Sequence, residues 1–369
     1  MELYIAGGCR EHGCNCFLIR GSRYYILLDC GEGLGNTPQL PSLLKEDIEK
    51  IRYIFLSHSH RDHVGALSWL FRQGFSGRIY ASAPTLDVIR NRDGLALQNA
   101  ADITAMEDSC GEIRIDEGLY VSFGRSGHCR GALWYQFSFE DKRIFFSGDY
   151  KGESSCYPWD TPKDIYADAA IIDCAYGTEI MDPAEQLRAL RKLMAECLRE
   201  GRQLLLPAPY NGRGAELKLI ADEMLRKMGI GSRTYADMKK DHFGIMVLPD
   251  PQLKKKESRR LSEYVLSHGG KVVFTGHVYE DTEAFRLLKE GRAGMLRYPV
   301  HPDAREALKL CAANDFRKVV FNHCQKEIRP EDCLPAAKEL MKEMGRDENE
   351  AEELCSRIHS MKRGESMAF

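Results

Sequence analysis

The chain has 369 residues, 43% of them hydrophobic and 29% charged, with a formal net charge of -3. That is an ordinary globular composition, long enough for one large domain or a domain carrying an insertion, and it excludes a disordered chain and a generic electrostatic binder of nucleic acid. No run of about 18 or more apolar residues is present to span a bilayer, and Met1-Glu2-Leu3-Tyr4-Ile5 lacks the basic start of a signal peptide, so a cytoplasmic location is expected. The 13 cysteines are an odd, scattered set, read as reduced and mostly buried thiols; Cys14 and Cys16 alone stand at a CxC spacing that would also suit a metal pair.

In chain order, Tyr24 to Leu28 is an apolar run that ends in Asp29-Cys30-Gly31, a strand into a glycine turn. Residues 51–56 read as a second strand and Val64 to Phe71 as a helix ending near Gly74. Leu119 to Phe123, Leu133 to Phe139, Arg143 to Phe146 and Ala169 to Ile172 read as further strands. The middle changes character. Helical patterns over Pro183 to Glu200 and Gly214 to Met228 alternate with strands at Gln203 to Leu206 and Lys271 to Phe274, which predicts an α/β segment with a parallel sheet. From Thr178 to Tyr298 there are 22 Lys+Arg against 17 Asp+Glu (22 − 17 = +5), leaving −8 elsewhere (−3 − 5), a balance that suits an anionic substrate. A helix over Asp303 to Ala313 leads into an apolar run, Lys318 to Phe321, then Asn322-His323, and the tail from Glu331 is helical in pattern.

The densest chemistry lies at His58-Ser59-His60-Arg61-Asp62-His63, immediately after the strand 51–56. A chain turning there directs His58 and His60 one way and Asp62 and His63 another, enough to seed two metal positions. Completing both shells requires further donors. His128 in Ser126-Gly127-His128, Asp149 in Ser147-Gly148-Asp149 and His323 each follow an apolar strand. Five predicted strands thus end in Asp29, His58, Asp149, Asp173 or His323, and sites gather where strand ends meet loops. His12, His242, His268 and His359 are read as surface or core histidines.

These residues carry a resemblance to the metallo-β-lactamase superfamily, whose HxHxDH motif is similar to His58–His63, and more closely to its β-CASP branch of RNA- and DNA-processing nucleases. Gly7-Gly8 through Ile19 and Leu27 to Gly31 resemble the opening strands of that branch. Ser147-Gly148-Asp149 resembles its bridging-aspartate motif and Ile171 to Gly177 its acid-bearing motif. Asn211-Gly212-Arg213-Gly214-Ala215-Glu216-Leu217 is similar to a GR-x-x-EL segment, Val300-His301-Pro302-Asp303 to the motif of the catalytic histidine, and Val319 to His323 to that of the last ligand. The cap between Gly177 and His301 is short for the branch, and Tyr298-Pro299-Val300 stands where a serine is usual.

The resemblance implies an α/β fold: a four-layer αββα sandwich (1–177 and 299–369) with an inserted α/β β-CASP-like cap (178–298). It implies two divalent ions, zinc before manganese, one held by His58, His60 and His128, the other by Asp62, His63 and His323, with Asp149 bridging. Such a pair, about 3.5–4 Å apart, activates a water and spreads charge in an in-line displacement at phosphorus. Asp62, Asp173 and His301 are then the catalytic residues. His301 protonates the leaving alkoxide and Asp173 orients it. Asp29 orients a ligand imidazole, its alternative being an ordinary turn aspartate, and Arg213 contacts phosphate or braces the cap. The expected activity is a metal-dependent nuclease on single-stranded RNA before DNA. A small-molecule hydrolase of a thioester, lactone or phosphoester is the alternative, and a second copy of the chain is an expected partner.

Overall fold

The computed structural model describes residues 1–34, 39–91, 102–230 and 243–369; His242 lies outside them. The chain forms two compact units: Met1–Glu153, Tyr157–Ile180 and His301–Phe369 make the first, Ser154–Cys156 and Met181–Val300 the second.

The first unit is built on two sheets. One runs Ser366–Ala368, Glu2–Gly7, Cys16–Arg20, Tyr25–Leu28, Ile51–Phe55, Arg78–Ser82, Asp102–Met106. The other runs Val319–Asn322, Ala169–Asp173, Lys142–Phe146, Leu133–Phe139, Leu119–Arg125, Gly111–Asp116. Side chains alternate across a strand, and here both faces are apolar. Leu3, Ile5, Phe17, Ile19, Tyr53 and Phe55 meet Val121, Tyr135, Phe137, Phe146 and Ile171 between the sheets. The alternate residues Leu18, Leu27, Ile54 and Leu56 pack outward on Leu67, Leu70, Leu86 and Ile89. Ala170, Ile172 and Phe321 face Leu308, Ala337, Leu340 and Leu354 in the same way. Helix, sheet, sheet, helix is therefore the layer order, the αββα sandwich expected.

The strand directions position the site. Tyr25–Leu28 is parallel to Ile51–Phe55. Lys142–Phe146 is parallel to Ala169–Asp173, and that strand to Val319–Asn322. Within each sheet the segments leading to Asp29 and His58, or to Asp149, Asp173 and His323, thus leave from one edge.

In the second unit, Gly244–Leu248, Gln203–Pro207, Lys271–Phe274 and Gly294–Met295 form a parallel sheet. Leu204 and Leu206 pack on Leu190, Met194, Leu217 and Ile220 of helices Pro183–Arg199 and Arg213–Lys227. Leu205 and Phe274 pack on Val265 and Leu287 of Lys256–Ser267 and Glu283–Lys289. Buried Glu216 accepts from Ser154 Oγ at 2.6 Å and from the Tyr298 hydroxyl at 2.7 Å, which ties Ser154–Cys156 to this unit.

Two local expectations change. The predicted helix from Val64 splits into Arg61–Val64 and Leu67–Arg72, because Ala66 leaves helical geometry while its N–H bonds the Cys30 carbonyl at 3.0 Å. The tail is helical over Pro330–Glu343 and Glu348–Ser356 but then forms the strand Ser366–Ala368, paired antiparallel to Glu2–Tyr4. That pairing is non-local and leaves no periodic trace in a three-residue segment. Among the described residues no helix is long and apolar enough to cross a membrane.

Candidate metal centre

The centre is assembled on the turn after Ile51–Phe55. Asp29, fully buried, accepts from the Ser57 amide and hydroxyl, each at 2.7 Å, and from His63 Nδ1 at 2.6 Å. One carboxylate thereby fixes the start of the turn and the ring of its last histidine. Its φ of 56° is in the left-handed region, a strain that three strong bonds can hold. Gly31 is required by close approach: a Cβ there would lie 1.7 Å from the Asp62 carbonyl oxygen. His60 precedes the single turn Arg61–Val64, which carries Asp62 and His63 inward, both buried.

The structure brings the predicted ligands into two groups. Nitrogens of His58, His60 and His128 lie with Cys129 Sγ, all within 4.8 Å of one another; oxygen and nitrogens of Asp62, His63 and His323 form a second such group. Asp149 stands between them. Its Oδ2 is 3.5 Å from His58 Nε2 and 3.7 Å from His128 Nε2, while its Oδ1 is 3.2 Å from His63 Nε2 and 3.6 Å from His323 Nδ1. The carboxylate turns one oxygen to each group. His323 sits at φ 69°, its amide bonded to the Gly8 carbonyl at 2.7 Å.

The chemistry of this donor set fits divalent ions. His58 Nε2, both Asp149 oxygens and His323 Nδ1 are buried without a hydrogen-bond partner, and buried polar atoms in that condition are rare unless something else binds them. Burial opposes charge throughout the site, yet neighbours overcome it. His323, His63, His301 and His58 hold Asp149 well below the usual carboxylate range, and Asp62 is lowered by His63 and His323. Against the same desolvation, Asp149, Asp29 and Asp62 keep His63 well above the usual imidazole value, and Asp149, Asp173 and Asp62 do so for His323. His58, by contrast, is pushed well below that value by burial and then by His63; it is a neutral, ligand-ready imidazole. The buried carboxylates demand cations, and the site offers unpartnered atoms to receive them.

Asp173 and His301 come together as well. Asp173 Oδ2 lies 3.0 Å from His301 Nδ1, and Asp173 is held by the Ala175 amide at 3.0 Å and the Tyr150 amide at 3.3 Å. His301 Nδ1 is also 3.7 Å from Asp149 Oδ2. Asp149, Asp173, His301 and His323 make a further convergent donor group. Arg213 belongs to the second unit, where its Nε donates to the Tyr298 carbonyl at 3.2 Å and its guanidinium packs on Gly276 so closely that a Cβ there would be 1.8 Å from Nη1. These contacts of Arg213, with Tyr298 and Gly276, both lie within that unit.

Other residues at the centre were not anticipated. Asn15 Nδ2 lies 2.9 Å from His63 Nε2 and its Oδ1 accepts from Asn322 at 3.1 Å. Ser57 Oγ is 3.0 Å from His58 Nδ1. Cys129 had one sequence signal, its adjacency to His128.

The metallo-β-lactamase superfamily model matches residues 9–196, just over half of the chain. An RNase J-like protein of Methanocaldococcus jannaschii is 30% identical over 240 residues, covering 61% of this chain and 55% of that protein. Endoribonuclease YSH1 of Kluyveromyces lactis is 26% identical over 255 residues (60% and 33%). Cleavage and polyadenylation specificity factor 73 of Drosophila melanogaster is 28% identical over 245 residues (60% and 36%). The chain thus spans about a third to just over half of the length of these relatives. A crystal structure of a protein of unknown function from Enterococcus faecalis aligns over 99% of both chains with a TM-score of 0.57 at 11% identity, a likeness of fold alone. With the αββα layers and the clustered histidines and aspartates in place, the chain belongs to the metallo-β-lactamase superfamily.

Proposed function

We propose that this protein is a two-metal phosphodiester hydrolase, a ribonuclease acting on single-stranded RNA before DNA. The observation that carries the reading is the pair His301–Asp173, 3.0 Å apart and beside the Asp149 carboxylate that faces both donor groups. His58, His60 and His128 would hold one ion, Asp62, His63 and His323 the other, with Asp149 shared; zinc suits the imidazole-rich set. Divalent ions there supply Lewis acidity, which acidifies a water and offsets charge on a phosphate.

The chain's own residues do the rest. A phosphodiester must expel an alkoxide, which needs a proton. Asp173 binds His301 at Nδ1, so Nε2 is the nitrogen left to hand a proton to the leaving oxygen, and the carboxylate balances the imidazolium. Asp29 and Ser57 keep the His63 and His58 rings in register through Nδ1, leaving each Nε2 as the donor atom. The α/β insertion, residues 178–298, is the proposed cap, and its excess of basic residues suits a polyanion. Relatives named as endoribonucleases support RNA as the substrate class. The eleven buried thiols suit a reducing, cytoplasmic setting.

The test is incubation of the purified chain with end-labelled single-stranded RNA and DNA beside a thioester substrate. Cleavage of RNA that is lost in His301→Ala is expected. Thioester hydrolysis without cleavage of either nucleic acid would overturn the reading.

A further inference from the structure

We infer that Cys129 is a further protein donor to the first metal position, beside His58, His60, His128 and the shared Asp149, which makes that position thiophilic and the two positions chemically unequal. The inference deepens the metal-centre reading and rests on it.

The first observation is placement. Cys129 Sγ lies within 4.8 Å of the donor nitrogens of His58, His60 and His128, each of which is also within that span of the others. Ligand atoms around one zinc ion, at bonds of about 2.0–2.3 Å, stand within such separations. The second is the surroundings. Buried cysteines ordinarily behave as small apolar groups, and nine of the eleven here do, seated in the apolar clusters. Cys129 is 3% exposed yet belongs to none of those clusters. The third is His58 Nε2 in the same group, fully buried and without a hydrogen-bond partner. The loop 126–132 that carries Cys129 is anchored on both sides, by the Ser126 hydroxyl to the Asp149 carbonyl at 2.7 Å and by the Ser82 hydroxyl to the Gly131 carbonyl at 2.6 Å.

The consequence is a difference in softness. Three imidazoles with a thiolate favour zinc, cobalt or cadmium, whereas Asp62, His63 and His323, with a carboxylate in place of sulfur, admit harder ions such as manganese. Coordination exchanges the S–H bond for a sulfur–metal bond, and the proton leaves to solvent.

The experiment strips the full chain with chelator and reloads it with Co²⁺, comparing absorption of the native protein with Cys129→Ser and Cys129→Ala. Visible ligand-field bands report cobalt held by the histidines, and a near-ultraviolet thiolate-to-cobalt charge-transfer band reports sulfur. The expected result is both features in the native protein, with the charge-transfer band lost and the visible bands retained in both variants. Visible bands without the charge-transfer band in the native protein, or the band surviving in Cys129→Ser, would overturn the thiolate while leaving the metal centre standing. Failure of the native protein to take up cobalt at all would overturn the centre as well.

Discussion

Asp29→Asn is the substitution that most directly probes how the centre is held. The change conserves shape, removes the charge and replaces one acceptor oxygen with an NH2 donor. Asp29 uses its two oxygens for three donors: the Ser57 amide, the Ser57 hydroxyl and His63 Nδ1. An amide has one oxygen and one NH2. If the oxygen stays on the Ser57 amide, the NH2 confronts His63 Nδ1 at the position that is 2.6 Å away in the native protein. Two donors cannot share that contact, so the ring moves its proton to Nε2, the nitrogen that faces Asp149 at 3.2 Å. Nε2 is then no longer a ligand. Orienting partners of metal-bound histidines are worth about 10–100-fold in affinity, or roughly 1.4–2.8 kcal/mol. The loss should fall on the Asp62–His63–His323 position and spare the His58–His60–His128 position. Zinc titration against a chromophoric chelator, with stoichiometry from elemental analysis, resolves the two. A variant that folds normally and binds both ions with native affinity would refute the argument.

Other outcomes follow from the same geometry. In His301→Ala, RNA cleavage should fall by about 10²–10⁴-fold, the range for a lost general acid, with metal content unchanged by elemental analysis. Asp173→Asn should reduce the rate in the same direction, since it removes the carboxylate bonded to His301 Nδ1. His63 and His323 are held above the ordinary imidazole range by carboxylates, so in the metal-free protein they remain protonated above pH 6.5. Their stabilisation of the metal-free fold is complete below that value and is lost as pH rises through the raised ones. Zinc loading near neutral pH should therefore release protons from both rings, read by calorimetry in buffers of different ionisation enthalpy, and affinity should weaken as pH falls; proton-neutral loading would contradict this. In Gly31→Ala the new Cβ would meet the Asp62 carbonyl oxygen at 1.7 Å, a backbone contact that no side-chain rotation relieves. A loss of about 1–3 kcal/mol on denaturant unfolding is expected, together with weaker zinc binding.

What the sequence determined by itself is what is local. The spacing His58-x-His60-x-Asp62-His63 survives any fold that turns after a strand, so those donors were legible as a cluster. Strands with intense apolar runs were legible for the same reason: Leu133–Phe139 and Lys271–Phe274 are found at the bounds read from the sequence. The alternation of helix and strand announced the parallel sheet of the second unit. Tertiary structure decided the rest, because its causes are contacts between residues far apart in sequence. Asp149, His128 and His323 approach His58 and His63 only once two sheets stack with their site-bearing strands leaving from matching edges. That Asp149 turns a separate oxygen to each donor group, and that Asn15 meets His63, are distances between distant segments. The short strand Ser366–Ala368 exists only because Glu2–Tyr4 offers it an edge. Arg213, equivocal as a sequence residue, is drawn to the Tyr298 carbonyl across 85 residues. Cys129 is plainest of all: in sequence it is one thiol among thirteen, and the loop that carries it sets its sulfur among three imidazoles.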